Sequence, residues 1–456
     1  MRKHLIIGRL GSSDRAKIQA ATDEVTTTLN LMASDNRLGH GMHQALLDLA
    51  DLGLLPSEMG IDLLVLAAHI QAADTCISRK TESQDSWTRE IRLVVPVSDP
   101  PRWNGAGALL KQMLDFLTGD LWVIEFRGRP SSFSSLVPAR KPQPHNRRSG
   151  NVHLFSGGLD SLIGAIDFLE RTDDGLFVSH AGDAATSDAQ GKCFDKLKNH
   201  YPERKFERLR VWMNFPANFV DGVEHERTTR ARSFLFISLG VLAGSAFREG
   251  FTLHVPENGF ISLNVPLDPL RLGSNTTRTT HPFFLARWRE LQSHLGISGR
   301  IENPYWLKTK GEMVLECANQ EFLRHVIADS LSCSSPAKGR WKGRGIEHCG
   351  YCLPCLVRRA ALKKAFGSAN DPTSYTLRNL QESVLDTRKA EGAQVRSLQI
   401  AIARLRDKPD LAKILIHKPG PLSDVEPTQH NDLSEVYRRS LEEIDALLTR
   451  VHAQPV

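Results

Sequence analysis

The run Val152-His153-Leu154-Phe155 ends in Ser156-Gly157-Gly158-Leu159-Asp160-Ser161, and apolar residues at helical spacing follow at once (Leu162, Ile163, Ala165, Ile166, Phe168, Leu169). This is a strand, a glycine-rich turn and a helix start in succession. Two glycines let the backbone come close to a phosphate, and the unsatisfied N–H groups of a helix N-terminus point at it. Ser156 and Ser161 add hydroxyl donors, and Asp160 can hold a magnesium ion or cap the helix. The Walker spacing, Gly-x-x-x-x-Gly-Lys-Ser/Thr, occurs nowhere in the chain. The competing reading is an ordinary glycine-rich βα turn.

The chain has 456 residues, room for about two or three domains. Apolar (41%) and charged (24%) contents match a globular chain, and a net charge of +6 does not alone point to nucleic acid. The apolar run after Met1 is too short for a signal peptide, and the longest apolar stretch, Ser233 to Phe247, is too short to span a membrane. Seven cysteines, four of them near residues 333–355, point to a reducing cytoplasm and a metal site rather than a disulfide framework.

Three regions are expected. Residues 1–138 combine helical patterns (Met42–Leu52, Ile61–Ala73, Leu109–Leu117) with strand-like runs (Ile91–Val97, Leu121–Phe126), giving an accessory α/β or α+β domain. Residues 139–150 form a proline-rich basic linker, either solvated or in contact with nucleic acid. Residues 151–367 alternate strands (152–155, 175–180, 209–213, 252–255) with helices, which predicts a doubly wound, mostly parallel α/β sheet. From 368 to 456 the pattern is polar and periodic (Leu377–Leu405, Leu433–Leu448), a helical appendage.

Cys333, Cys349, Cys352 and Cys355 suit a closed tetrahedral zinc site, with an iron–sulfur cluster as the alternative. Cys76, Cys193 and Cys317 read as small core residues.

The Ser156–Ser161 hexapeptide resembles the pyrophosphate-binding PP-loop of ATP pyrophosphatases. Together with Ser332-Cys333, Cys349-Gly350-Tyr351-Cys352-Leu353-Pro354-Cys355 and Arg358-Arg359, it resembles the 7-cyano-7-deazaguanine synthase (QueC) family over residues 151–367. The flanking regions make the layout similar to the QueC-like proteins of bacterial antiphage islands. The resemblance implies ATP with Mg2+ on Phe155, Ser156, Gly157, Gly158, Leu159, Asp160 and Ser161, structural Zn2+ on the four cysteines, and an AMP-forming ligase. Its carboxylate substrate would be 7-carboxy-7-deazaguanine, and its amine ammonia or an amine of a partner protein.

The chain departs from the family at the acceptor segment, which here reads Glu257-Asn258-Gly259 through Arg271 to Arg278-Thr279-Thr280-His281, and at Ser179-His180-Ala181-Gly182-Asp183. Glu257, Asn258, Arg271 and Arg278 are therefore the candidate substrate contacts, although Glu-Asn-Gly is also good turn chemistry. Arg278 can grip a phosphate or carboxylate bidentately, and Lys310 can reach a phosphate or sit solvated at a helix start. Asp160, Ser161, Arg278 and Lys310 make the expected catalytic set. Arg230 and Arg232 open the apolar helix, either solvated or meeting ATP. His281 and His348 read as structural histidines. The loop Lys338–Gly345 reads as an insertion, or else as a lid or nucleic-acid contact. The rival functions are an RNA-thiolating enzyme with an iron–sulfur cluster and a non-catalytic nucleotide sensor.

Overall fold

The structure is a computed structural model that describes residues 2–139, 150–172, 174–216, 219–220, 223–226, 228–267 and 278–456. Residues 140–149 of the expected linker and Arg271 lie outside the described residues.

The N-terminal unit runs β1 (Lys3–Arg9), β2 (Glu24–Asn30), α1 (Met42–Asp51), α2 (Glu58–Cys76), α3 (Arg79–Glu82), β3 (Glu90–Val97), α4 (Pro100–Gly105), α5 (Gly107–Thr118) and β4 (Leu121–Gly128). Its four strands are parallel in the order β2-β1-β3-β4, so the unit is α/β and not α+β. Ile6, Leu93, Val95 and Ile124 face the helices, whereas Leu5, Ile7 and Val94 face Ile18 on the other side. A strand buried on both faces reads as a continuous apolar run. Leu5-Ile6-Ile7 is such a run, and its brevity hid β1 in the sequence.

The central unit runs β5 (Gly150–Leu154), α6 (Leu159–Leu169), β6 (Asp174–Ala181), α7 (Ala184–His200), β7 (Lys205–Trp212), α8 (Arg232–Gly244), β8 (Phe251–His254), α9 (Gly259–Leu263), α10 (Pro282–Leu295), β9 (Gly299–Glu302), α11 (Lys310–Leu315), α12 (Gln320–Val326) and α13 (Leu353–Phe366). Its sheet is parallel in the order β7-β6-β5-β8-β9. The order reverses between β5 and β8, which opens a crevice at the carboxyl ends of those strands. Ser156–Ser161 leaves β5 into that crevice.

The two sheets share one hydrophobic core. Helix α2 is buried at every position from Gly60 to Asp74 and packs on the equally apolar α8, so each helix finishes the other's burial. The helices approach so closely that a Cβ on Gly60 would lie 2.3 Å from Ser245 Oγ, which accepts from Ser57 N–H (3.1 Å). The N-terminal unit is thus a wall of the central one.

The C-terminal region adds β10 (Leu385–Asp386), α14 (Ala390–Asp407), α15 (Leu411–Leu415), α16 (His430–Leu448) and β11 (Ala453–Gln454). The helix expected from Leu377 begins only at Ala390, because β10 pairs with β11 ahead of it. This region shares a core with α9 and α13. Among the described residues, no helix is long and apolar enough to cross a membrane.

Six histidines among the described residues are buried and held neutral. Burial lowers His69 and His180 to about 4, His281 and His348 to about 3, His153 well below the usual value, and His4 below it. The unfolded chain takes up these protons near pH 6.5, so stability is intact above that pH and falls as pH drops toward 4. For His69 alone the loss is about 2 kcal/mol at pH 5. Thermal unfolding at pH 7.5 and 5.0 is expected to show a markedly lower Tm in acid. His153→Phe, in a pocket formed with Phe168, Phe177 and His254, is expected to shrink that difference.

Candidate nucleotide site and metal centre

The loop after β5 is held by few side chains. Phe155 N–H donates to Val178 O (2.8 Å), which ends the strand. Ser156 Oγ accepts weakly from Gly158 N–H (3.3 Å) and donates to Ser161 Oγ (3.1 Å), which donates in turn to Gly158 O (2.9 Å). Gly157 has φ +77°, and a Cβ there would meet the Gln190 backbone N at 3.0 Å. Both conformation and space therefore require glycine. Gly158 caps α6 without a side chain, so the first-turn N–H groups are left for other partners. One of them, Leu159 N–H, donates to Ser332 Oγ (3.1 Å).

Asp160 neither caps the helix nor stands free. Its Oδ2 accepts from Asn258 N–H (3.2 Å) and Asn258 Nδ2 (2.7 Å), and its Oδ1 lies 2.9 Å from Lys310 Nζ. One carboxylate thus joins α6, the β8–α9 turn and α11. Lys310 is a buried ion-pair partner, not a solvated lysine. Asn258 is also the N-cap of α9, its Oδ1 accepting from Ile261 N–H (3.2 Å), so turn chemistry and site chemistry coincide there.

Glu257 is clasped through its backbone by Asn303, which accepts from Glu257 N–H (3.3 Å) and donates to Glu257 O (2.7 Å). Its carboxylate accepts from Thr280 Oγ1. Burial, and then the charge of Asp160, push it up to about 7 against the pull of Thr280 and Lys310. A carboxyl poised there exchanges protons near neutrality.

A cavity of about 330 Å3 lies beside these groups, with Ser156, Ser161, Arg232, Glu257, Ser332 and Cys333 in its lining. Arg232 is the first residue of α8 and makes no hydrogen bond or ion pair among the described residues. Its guanidinium, lowered by burial but still cationic, is available to an anion.

Two expected site residues lie elsewhere. Arg230 stacks on Trp87 (3.8 Å to the ring centroid) and donates to Thr118 O (2.8 Å). Arg278 donates to Phe116 O (2.6 Å) and lies 4.7 Å from the Phe116 ring centroid. Both are spent joining the central unit to the N-terminal one, because a flat cation finds an aromatic face and a helix-end carbonyl there. His281 caps α10 through Phe283 N–H (3.3 Å), and His348 Nε2 accepts from Ser332 N–H (3.1 Å), so both are structural. In the basic loop, Lys338 donates to Tyr351 Oη (2.6 Å) and lies 5.0 Å from the centroid of its ring. His180 and Ser332 line the cavity without having been expected there; for Ser332 the only signal was its place before Cys333.

The four cysteine sulfurs lie within 4.8 Å of one another. Cys349 Sγ and Cys355 Sγ are 3.9 Å apart. Metal–sulfur bonds of about 2.3 Å in a tetrahedron put sulfurs about 3.8 Å apart, so the spacing fits one ion. A cluster would hold them further apart by interposing iron and sulfide. Backbone N–H groups of Ser335 (3.3 Å) and Cys349 (3.2 Å) donate to Cys333 Sγ, and that of Cys352 to Cys349 Sγ (3.3 Å). Such donors favour thiolates, as does the N-terminus of α13, where Cys352 and Cys355 stand. The set can therefore bind a metal such as zinc.

No protein-family model matches the chain, and no curated protein matches it. For the metal centre, the purified chain is expected to hold one zinc and no iron. Cys349→Ser is expected to lower the bound zinc and the Tm together, read by elemental analysis and thermal unfolding.

Proposed function

We propose that the chain is a PP-loop enzyme that activates a carboxylate with ATP and joins it to an amine, releasing AMP and pyrophosphate. The observation that carries this is one cavity, at the strand-order reversal, lined by both serines of the glycine loop, by an arginine with no partner among the described residues and by a proton-exchanging glutamate. The loop N–H groups and the Ser156 and Ser161 hydroxyls hold the β- and γ-phosphates, and Arg232 neutralises charge as it develops on the leaving pyrophosphate. The carboxylate oxygen attacks the α-phosphorus and expels pyrophosphate. The amine then attacks the acyl carbon and expels AMP, and Glu257 takes the proton it loses. Lys310 holds Asp160 in place, and the pair ties the helix that follows the loop to the segment carrying Glu257.

Magnesium accompanies ATP and shields its phosphates. Asp160 and Glu257 are the carboxylates that could meet it, and Lys310 already offsets Asp160. Zinc on four thiolates has no open position, so its contribution is to hold structure. The resemblance to the QueC family nominates 7-carboxy-7-deazaguanine as the carboxylate, ammonia or a partner-protein amine as the nucleophile, and antiphage defence as the setting. The close sulfur spacing favours this reading over RNA thiolation with an iron–sulfur cluster.

The test is AMP and pyrophosphate release from magnesium-ATP with 7-carboxy-7-deazaguanine, followed by mass spectrometry of all products and proteins present. Carboxylate-dependent AMP is expected. ATP binding without AMP from any carboxylate would point instead to a sensor. Arg232→Ala is expected to lower kcat by about 100-fold or more, the cost of one lost transition-state contact. In the wild type, the rate of amine transfer is expected to rise with pH through about 7 as Glu257 loses its proton. Glu257→Gln should be slow and lack that rise.

A further inference from the structure

The segment that enters the metal centre also shapes the glycine loop. Leu331 N–H donates to Gly157 O (2.8 Å), Ser332 Oγ accepts from Leu159 N–H (3.1 Å), and the next residue is Cys333. Ser332 N–H donates to His348 Nε2 (3.1 Å), and His348 directly precedes Cys349. One serine therefore touches the loop through its hydroxyl and both cysteine-bearing segments through its backbone. Apart from this strap, Ser179 Oγ holds Phe155 O at the loop's start (2.8 Å), and Gln190 Nε2 reaches Ser156 O only by a long bond (3.4 Å). Gly157 and Gly158 have no side chains with which to hold their own shape.

We propose that Ser332 is a positioning residue that couples phosphate binding on the Ser156–Ser161 loop to metal retention by the four cysteines. The cysteines fix Cys333 when a metal is bound, Cys333 fixes Leu331 and Ser332, and these hold Gly157 and Leu159 in the phosphate-ready shape. A phosphate that orders the loop orders the strap in return, because coupling between two sites is reciprocal. This rests on the reading that the loop binds phosphate. It goes further in giving the metal centre a defined effect on nucleotide affinity.

The experiment uses the full chain loaded with one equivalent of zinc. Zinc transfer to a chromogenic chelator is timed with and without saturating magnesium pyrophosphate, and pyrophosphate binding is measured separately by calorimetry. In the wild type, pyrophosphate is expected to slow zinc release about 5-fold or more, the usual lower range of site–site coupling. Ser332→Thr, which keeps the hydroxyl, should preserve the slowing, and Ser332→Ala should abolish it while still binding zinc. A merely structural Ser332 would change the Tm but leave the pyrophosphate effect intact, and that result would overturn the proposal. So would a wild-type chain that binds pyrophosphate yet releases zinc at an unchanged rate, a result that needs no variant to fold. Failure to bind pyrophosphate or ATP at all would overturn the functional reading as well, which separates the two.

Discussion

Asp74, Arg79, Arg89 and Asp120 bury four charges together where the N-terminal and central units meet. Arg89 Nη2 lies 2.8 Å from Asp74 and 2.6 Å from Asp120, and Arg79 Nη2 makes the same two contacts at the same distances. Such a group gains little net stability over an apolar plug, but no member can leave without stranding the others. Its use here is positional. Asp74 Oδ2 accepts from Ala231 N–H (2.7 Å), and Glu226 accepts from Arg79 N–H (2.7 Å). The start of α8 is thereby pinned to the end of α2, and Arg232, the next residue, is delivered to the cavity with its guanidinium uncommitted among the described residues.

A similar logic operates from the other end of the chain. On α16, Glu443 accepts from Thr309 Oγ1 and from Gly311 N–H (3.2 Å), while Arg439 pairs with Glu312 (2.7 Å), the residue that completes the capping box of α11. These contacts set the first turn of α11, whose first residue is Lys310. The cavity therefore takes Arg232 from a helix fixed by the N-terminal unit, while Lys310, which holds Asp160 behind the loop, comes from a helix fixed by the C-terminal one. Neither region is an appendage, and their joint cores with the central unit express this in packing.

Much of this was legible. The β5–loop–α6 unit, the four cysteines and the βα alternation are local patterns, carried by residues a few positions apart. Asp160, Glu257, Asn258 and Lys310 were found as polar residues at strand ends and helix starts, where parallel sheets expose them. Arg230 and Arg278 were legible as cations but not as interface residues, because Trp87 and Phe116, the rings they cover, are more than a hundred residues away in sequence. Strand β1 carries an apolar run of only Leu5-Ile6-Ile7, too brief to announce it, and the stretch before Ala390 kept an apolar periodicity without the helix, because pairing of β10 with β11 claims its backbone.

By itself, the sequence determined the parallel α/β class of the central unit, the glycine loop with its helix start, and four cysteines set to hold a metal. Each follows from backbone freedom, side-chain period or donor chemistry within a short window. Only the tertiary structure decided which arginine faces the cavity, that Asp160 is held by Lys310 and Asn258, and that Ser332 bridges the loop to the metal centre. Those outcomes depend on which long-range partner captures each charge or hydroxyl first, and partners brought together by two shared cores leave no trace in local sequence.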